Sequence, residues 1–359
     1  MSAAVASSPD VADPSRWHEL VHSSDRREFV AAARGHLSSR FGLDSVRACY
    51  DAEQPITSWK ELAGADYPLI GLPESMGGAG TFVDTVALME AAGRELLPLP
   101  LLSTVMAWQT LAAAGAGEIN RERMAALAVV GDPTLERAAD RTVTVLDGVV
   151  AQDLVLVDVT GAGVVVARGD LTAHAAVAHR HVDPSRPLAV FRRDDVAVEV
   201  VTELAIPTDD VLARARTVLG ADLTGVAAAA LDRAVEHAVE REQFGKKIGA
   251  FQGVKHRLAD VYVAVERARS LTRAAAVTLA DGAADDVSGA ELSLLAKAAA
   301  TDAAVEATRA YVQVLGAMGM TFEADAHLYF RRAQQTAPVL GSAAACYRRA
   351  AATRREALR

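Results

Sequence analysis

Arg241-Glu242-Gln243-Phe244-Gly245-Lys246-Lys247-Ile248-Gly249-Ala250-Phe251-Gln252-Gly253-Val254-Lys255-His256-Arg257-Leu258-Ala259-Asp260 is the most informative stretch of this chain. Around it lie two Ala-rich runs, residues 211–241 and 251–280, and two more follow at 290–315 and 341–358. Alanine is the best helix former, so propensity alone predicts helices there. Ser288 and Glu291 have the spacing of a capping box and open the third run. Upstream, residues 15–117 also read as helical. Apolar residues recur at helical spacing in Glu28-Phe29-Val30-Ala31-Ala32-Ala33 and again over 83–97, where Pro98 and Pro100 stop the segment.

The texture changes over residues 124–206. Short β-branched runs (Thr142-Val143-Thr144-Val145-Leu146, Val155-Leu156-Val157, Val164-Val165-Val166, Val196-Ala197-Val198-Glu199-Val200-Val201) alternate with Asp-Gly, Gly-Ala-Gly and Pro turns. That pattern predicts a small antiparallel β domain. The expected organisation is mainly α with a central β domain. A disordered lead (1–14) precedes an N-terminal helical domain (15–120), a middle β domain (121–207) and a C-terminal four-helix bundle (208–359). Strands and helices do not alternate, which argues against a doubly wound sheet.

Composition narrows the function classes. With 359 residues, 51% hydrophobic and 23% charged, the chain is long enough for two or three domains and too apolar to be disordered. A net charge of −9, with no obvious Lys- and Arg-rich face, argues against nucleic-acid and anionic-membrane partners. No uninterrupted apolar run of about 20 residues is present to span a bilayer. The first residues lack the basic and apolar regions of a secretory signal. Cys49 and Cys346 lie far apart and form no CxxC, which fits a reduced cytosolic compartment, and no metal site is expected.

A second distinctive segment is Gln313-Val314-Leu315-Gly316-Ala317-Met318-Gly319-Met320-Thr321-Phe322-Glu323. Together with the opening stretch it closely resembles the two C-terminal motifs of the acyl-CoA dehydrogenase family, RxQFGxxIxxFQxxxHxLAD and QxxGGxGxxxE. Gly71-Leu72-Pro73-Glu74-Ser75-Met76-Gly77-Gly78-Ala79-Gly80 is a weaker match to the family's GxPExxGGxG loop. The resemblance implies the helix–β–helix order already read from the residues. It also implies that the C-terminal motifs hold the ADP half of FAD, with the flavin ring in a neighbouring subunit. Carried over position by position, those roles fall to Arg241, Gln243, Phe244 and Gln252, and to Gln313, Val314, Leu315, Gly316 and Ala317. A guanidinium suits a pyrophosphate, and small residues let backbone N–H groups approach it. Ala317 stands where the family has the second glycine of its pair. Outside the motif Arg241 would read as an ordinary helix-end arginine, and His256 reads as a packed or capping side chain rather than a catalyst. Cys346 reads as buried packing.

Family members oxidise an acyl-CoA to the 2,3-enoyl-CoA, a carboxylate removing the α-proton while the flavin accepts the β-hydrogen. Counting from Glu323, the usual base position falls on Leu340 in Val339-Leu340-Gly341-Ser342. The alternative base position, counted back from Arg241, falls on Ala215, just before Arg216. Neither side chain accepts a proton, and losing a general base costs about 10²–10⁴ in rate. The ring-binding stretches of the β domain are depleted too. The first reads Ala128-Val129-Val130-Gly131-Asp132-Pro133-Thr134, and no tryptophan follows Trp108.

No catalytic residue is therefore assigned. The resemblance implies a subunit like those of the heteromeric α2β2 acyl-CoA dehydrogenases of actinobacterial sterol degradation. Its expected partners are a homologous catalytic subunit that binds most of the acyl-CoA and an electron-transfer flavoprotein. Two alternatives stand. One is a self-sufficient FAD enzyme using Asp222, which lies two turns and about 10 Å along the helix from Ala215. The other is a structural homologue, including the superfamily's DNA-associated branch, which the acidic charge disfavours.

Overall fold

The computed structural model describes residues 23–52, 58–132, 134–135, 142–160, 163–172, 177–178, 181–205, 207–281 and 287–357. The expected disordered lead, 1–14, lies outside the described residues. Among the described residues, five α-helices precede the first strand: α1 (Ser24–Phe41), α2 (Leu43–Ala52), α3 (Trp59–Gly64), α4 (Phe82–Arg94) and α5 (Leu101–Ala113). Their ends follow local chemistry. The Ser23 hydroxyl accepts from Arg26 N at 3.2 Å and opens α1. Thr81 and Asp84 form a reciprocal capping box at the start of α4. The segment expected over 83–97 ends at Arg94, because Leu96 takes a left-handed backbone (φ 50°) that turns the chain before Pro98.

The described strands that follow are β1 (Ala125–Val130), β2 (Thr142–Leu146), β3 (Asp153–Thr160), β4 (Gly163–Asp170), β5 (Val177–Ala178), β6 (Leu188–Arg192) and β7 (Val198–Leu204). They form two sheets, ordered β1-β3-β4-β7 and β2-β6-β5. Pairing is antiparallel as expected, with one addition: β1 runs parallel to β3, Ala125 opposite Asp153. The expected strand over 196–201 starts later, at Val198, because Arg193–Asp195 coil into a 3-10 turn.

The C-terminal helices are α6 (Thr208–Glu240), α7 (Gln252–Asp281), α8 (Gly289–Leu315), α9 (Ala326–Thr336) and α10 (Ala343–Ala357). Between α6 and α7 the chain makes a small hairpin of β8 (Glu242–Gln243) and β9 (Lys246–Lys247). Ser288 caps α8 as expected, its hydroxyl accepting from Glu291 N at 3.1 Å. The last expected helix starts two residues late, since Gly341 has φ 102°. Helix α9 was not anticipated. Its buried face includes Arg332 and Gln335, so hydropathy does not announce it.

A continuous apolar core joins the N-terminal helices, one face of the β1-β3-β4 sheet and the long C-terminal helices. The tightest crossing is between α4 and α6. A Cβ on Gly93 would sit 2.1 Å from Asp222 O, and one on Gly225 would sit 2.1 Å from Glu90 O. Only glycine permits that approach. No described helix is long and apolar enough to cross a membrane.

Candidate functional site

The opening motif forms the exposed turn between α6 and α7. Arg241 ends α6, its backbone N donating to His237 O at 2.9 Å. Its guanidinium makes no hydrogen bond or ion pair among the described residues, and the side chain is exposed. Gln243 pairs with Lys246 across the β8–β9 hairpin. Phe244 forms the turn with φ 53° and is 90% exposed. Its ring meets Phe251 edge-on at 6.2 Å, and the Lys246 ammonium covers the Phe251 ring at 4.2 Å. Gln252 begins α7, also exposed.

The second motif ends α8. Gln313, Gly316 and Ala317 are exposed, while Val314 and Leu315 are half-buried against the core. Gly316 takes φ 65° where an added Cβ would meet nothing. Helices α7 and α8 pack together, and Gly289 lies against Leu279. The end of α7 is therefore beside the start of α8, and the two helices are of similar length at about 1.5 Å per residue. Gln252 is thereby brought to the same end as Gln313. Both motifs thus share one end of the bundle and face outward. An unpaired guanidinium, open backbone at Gly316 and an exposed aromatic ring suit a pyrophosphate-bearing nucleotide. His256, expected to be packed or capping, is instead exposed on α7, because the first turns of that helix carry little of the core. Cys346 is buried as expected.

Large exposed apolar side chains concentrate at this end: Val239, Phe244, Val263, Met320 and Phe322 are each more than 60% exposed. Nearby, a shallow groove between α6 and α7 is lined by Leu231, Val235, Leu258, Ala259 and Tyr262 together with Asp232 and Glu236. Exposed apolar side chains rimmed by polar ones are the kind of surface that interaction sites use.

The two positions where a base is expected lie elsewhere, inside the protein. Ala215 has no exposed surface and Leu340 only 6%. Leu340 has φ 54°, and its carbonyl lies 3.5 Å from the Thr134 hydroxyl. A Cβ on Gly341 would come within 2.8 Å of Thr134. The chain after β1 and the chain after α9 are thus in direct contact. Asp132 holds this junction. It accepts from Thr134 N at 2.7 Å and from the buried Arg216 at 2.7 Å, and Arg216 also donates to Asp209 at 2.8 Å. Lys297 donates to Ala337 O at 2.7 Å and to Gly341 O. Burial pushes its ammonium down to about 8, with the Arg216 charge in the same direction.

Asp222, the alternative base, is fully buried. Its carboxylate is 3.2 Å from the equally buried Arg186, so it faces a cation in the core rather than a substrate. This pair continues a polar cluster that sequence patterns did not reveal. Arg332 of α9 donates to Asp183, to Ser185 Oγ at 2.7 Å and to Leu96 O at 3.0 Å. Tyr50 of α2 reaches Asp183 at 3.1 Å, and Gln335 accepts from Asp183 N at 2.9 Å. Burial alone would raise Asp183, but Arg332, Ser185 and Arg186 hold its carboxyl below the usual range. The one sequence signal was Asp183-Pro184-Ser185-Arg186-Pro187, a turn-forming run whose Asp183 side chain accepts from Ser185 N at 3.0 Å.

Comparison with known proteins bears on the family and the fold. Residues 208–354 match the family model of the acyl-CoA dehydrogenase C-terminal domain. The chain is 36% identical over 337 residues to acyl-CoA dehydrogenase FadE34 of Mycobacterium tuberculosis, covering 90% of this chain and 45% of that relative. It thus spans about half of FadE34. To acyl-CoA dehydrogenase IpdE2 of the same organism it is 32% identical over 328 residues, covering 88% of this chain and 92% of IpdE2. Among solved structures, a Tcur3481-Tcur3483 steroid ACAD variant matches with a TM-score of 0.73 at 25% identity, covering 91% of this chain and 96% of that one. The ChsE4-ChsE5 complex of Mycobacterium tuberculosis shares the fold, with a TM-score of 0.75 at 22% identity over 92% and 97% of the two chains. From motif, fold and relatives together, this chain belongs to the acyl-CoA dehydrogenase family.

Proposed function

We propose that this chain is the non-catalytic subunit of a heteromeric acyl-CoA dehydrogenase and completes the FAD site of a homologous catalytic partner. One observation carries the reading. Both base positions, Leu340 and Ala215, are apolar and sealed in the core, whereas the nucleotide-binding motif residues face outward. The exposed, unpaired Arg241, with Phe244, Gln252, Gln313 and the open backbone at Gly316, fits the ADP half of FAD belonging to another chain. FAD, when bound, supplies the two-electron acceptor. This chain supplies the cation and stacking surface for its nucleotide tail, and the apolar end of its bundle docks the partner.

The partner contributes the carboxylate and most of the acyl-CoA groove. The substrate in this reading is a sterol side-chain or fatty acyl-CoA, and electrons leave to an electron-transfer flavoprotein. The two-name steroid ACAD among the similar structures supports a paired assembly. A self-sufficient enzyme based on Asp222 is disfavoured by that residue's burial against Arg186.

The test is to express the chain alone and with candidate partners, reading flavin absorbance and native mass. The expected result is a colourless lone chain and a yellow heteromer whose FAD content drops several-fold with Arg241→Ala. A lone chain that retains flavin and is reduced by an acyl-CoA would overturn the reading.

A further inference from the structure

Helices α1, α4 and α7 enclose an open cavity of about 590 Å³, lined by none of the motif residues and within the range of small-molecule sites. Its lining is unusual for an acidic chain. Six arginines face it, Arg26, Arg27, Arg34, Arg94, Arg269 and Arg273, against only two lining carboxylates, Glu90 and Glu266. Between the cations lies apolar surface from Val30, Val83, Val86 and Ala87.

The ion pairs here leave cationic capacity over. Asp84 holds Arg26 at 2.6 Å, and Glu90 holds Arg269 at 2.8 Å with Glu266 on its other nitrogen. Glu90 is then 3.9 Å from Arg273, beyond hydrogen-bond reach. Arg34 is 3.6 Å from Glu95. Arg94 pairs with Asp232 through one terminal nitrogen, and its buried Nε has no acceptor among the described residues. Arg27, at the rim, makes no side-chain ion pair among the described residues. Burial drives the Arg273 guanidinium down and Arg269 and Arg26 add repulsion, which Glu90 and Glu266 only partly offset. An oxyanion in the cavity would relieve that repulsion and accept paired N–H donors.

We propose that this cavity binds a small organic oxyanion on an apolar body, a phosphate or carboxylate carried by an alkyl or ring scaffold, with Arg273 as its principal contact. The apolar wall rejects a bare inorganic ion, and the guanidinium rim rejects a neutral amphiphile.

Isothermal titration of the purified full chain with dodecyl phosphate, dodecanoate, inorganic phosphate and a neutral dodecyl polyethylene glycol ether tests it. One alkyl oxyanion is expected to bind at one site, at least tenfold more tightly than inorganic phosphate or the neutral ether. The ranking of phosphate against carboxylate identifies the head group. Arg27→Glu, which breaks no described ion pair, and the cavity-filling Ala87→Trp should each weaken binding at least tenfold while keeping the thermal midpoint. Equal binding of the neutral ether or inorganic phosphate would overturn the proposal. So would no binding of either alkyl oxyanion, or unchanged affinity in a folded Arg27→Glu chain.

Discussion

Phe244 combines 90% exposure with a left-handed backbone, two features a bulky side chain adopts together only at a cost of about 1–3 kcal/mol. Since the ring buries little in this chain, Phe244→Ala should leave the thermal midpoint of the lone chain nearly unchanged. If the proposed partner docks at this end, the same substitution should weaken assembly with it at least tenfold, measured by analytical ultracentrifugation. Asp183 is the opposite case. Replacing it with Asn leaves Arg332 buried without its counter-charge, at an expected cost of about 3–5 kcal/mol in denaturant unfolding. The sign with pH follows from its depressed carboxyl: stability from this pair is complete above an unfolded pKa of about 3.9 and is lost as pH falls toward the lower folded value. Wild type should therefore show a steeper acid limb below about pH 4 than Asp183→Asn. The family was legible in the motif residues because they stand at fixed spacings along the chain. The Arg332–Asp183 pair joins positions 149 apart in the chain, and neither residue carries a local pattern that announces the other.

At the scale of elements, the long Ala-rich helices were readable almost to their ends, because propensity and caps act locally. Helix α9 was not, since its inward face is partly charged and only the neighbouring loop makes that face compatible with burial. The parallel β1–β3 pair was equally hidden, because pairing direction depends on where a connection travels rather than on the strand residues. The α4–α6 crossing depends on two missing side chains. Gly225→Ala places a methyl group 2.1 Å from Glu90 O, backbone that cannot move without the whole of α4. Overpacking of this kind should cost about 1–3 kcal/mol, read as a lower midpoint in urea with unchanged m-value.

Across the whole molecule, chemistry-bearing surface sits at the periphery and packed protein fills the middle. Leu340 shows how little room that packing leaves for a new side chain. Placing an acid there, as Leu340→Glu, would put a carboxylate at 6% exposure on a left-handed backbone beside Thr134, with its neighbour Gly341 already too close for a methyl group. The expected outcome is a destabilised protein with no acyl-CoA oxidation above background, measured as reduction of a dye acceptor with and without the partner. A working proton acceptor at this position would need Thr134 and the chain around Gly341 to shift with it, so no single replacement supplies one.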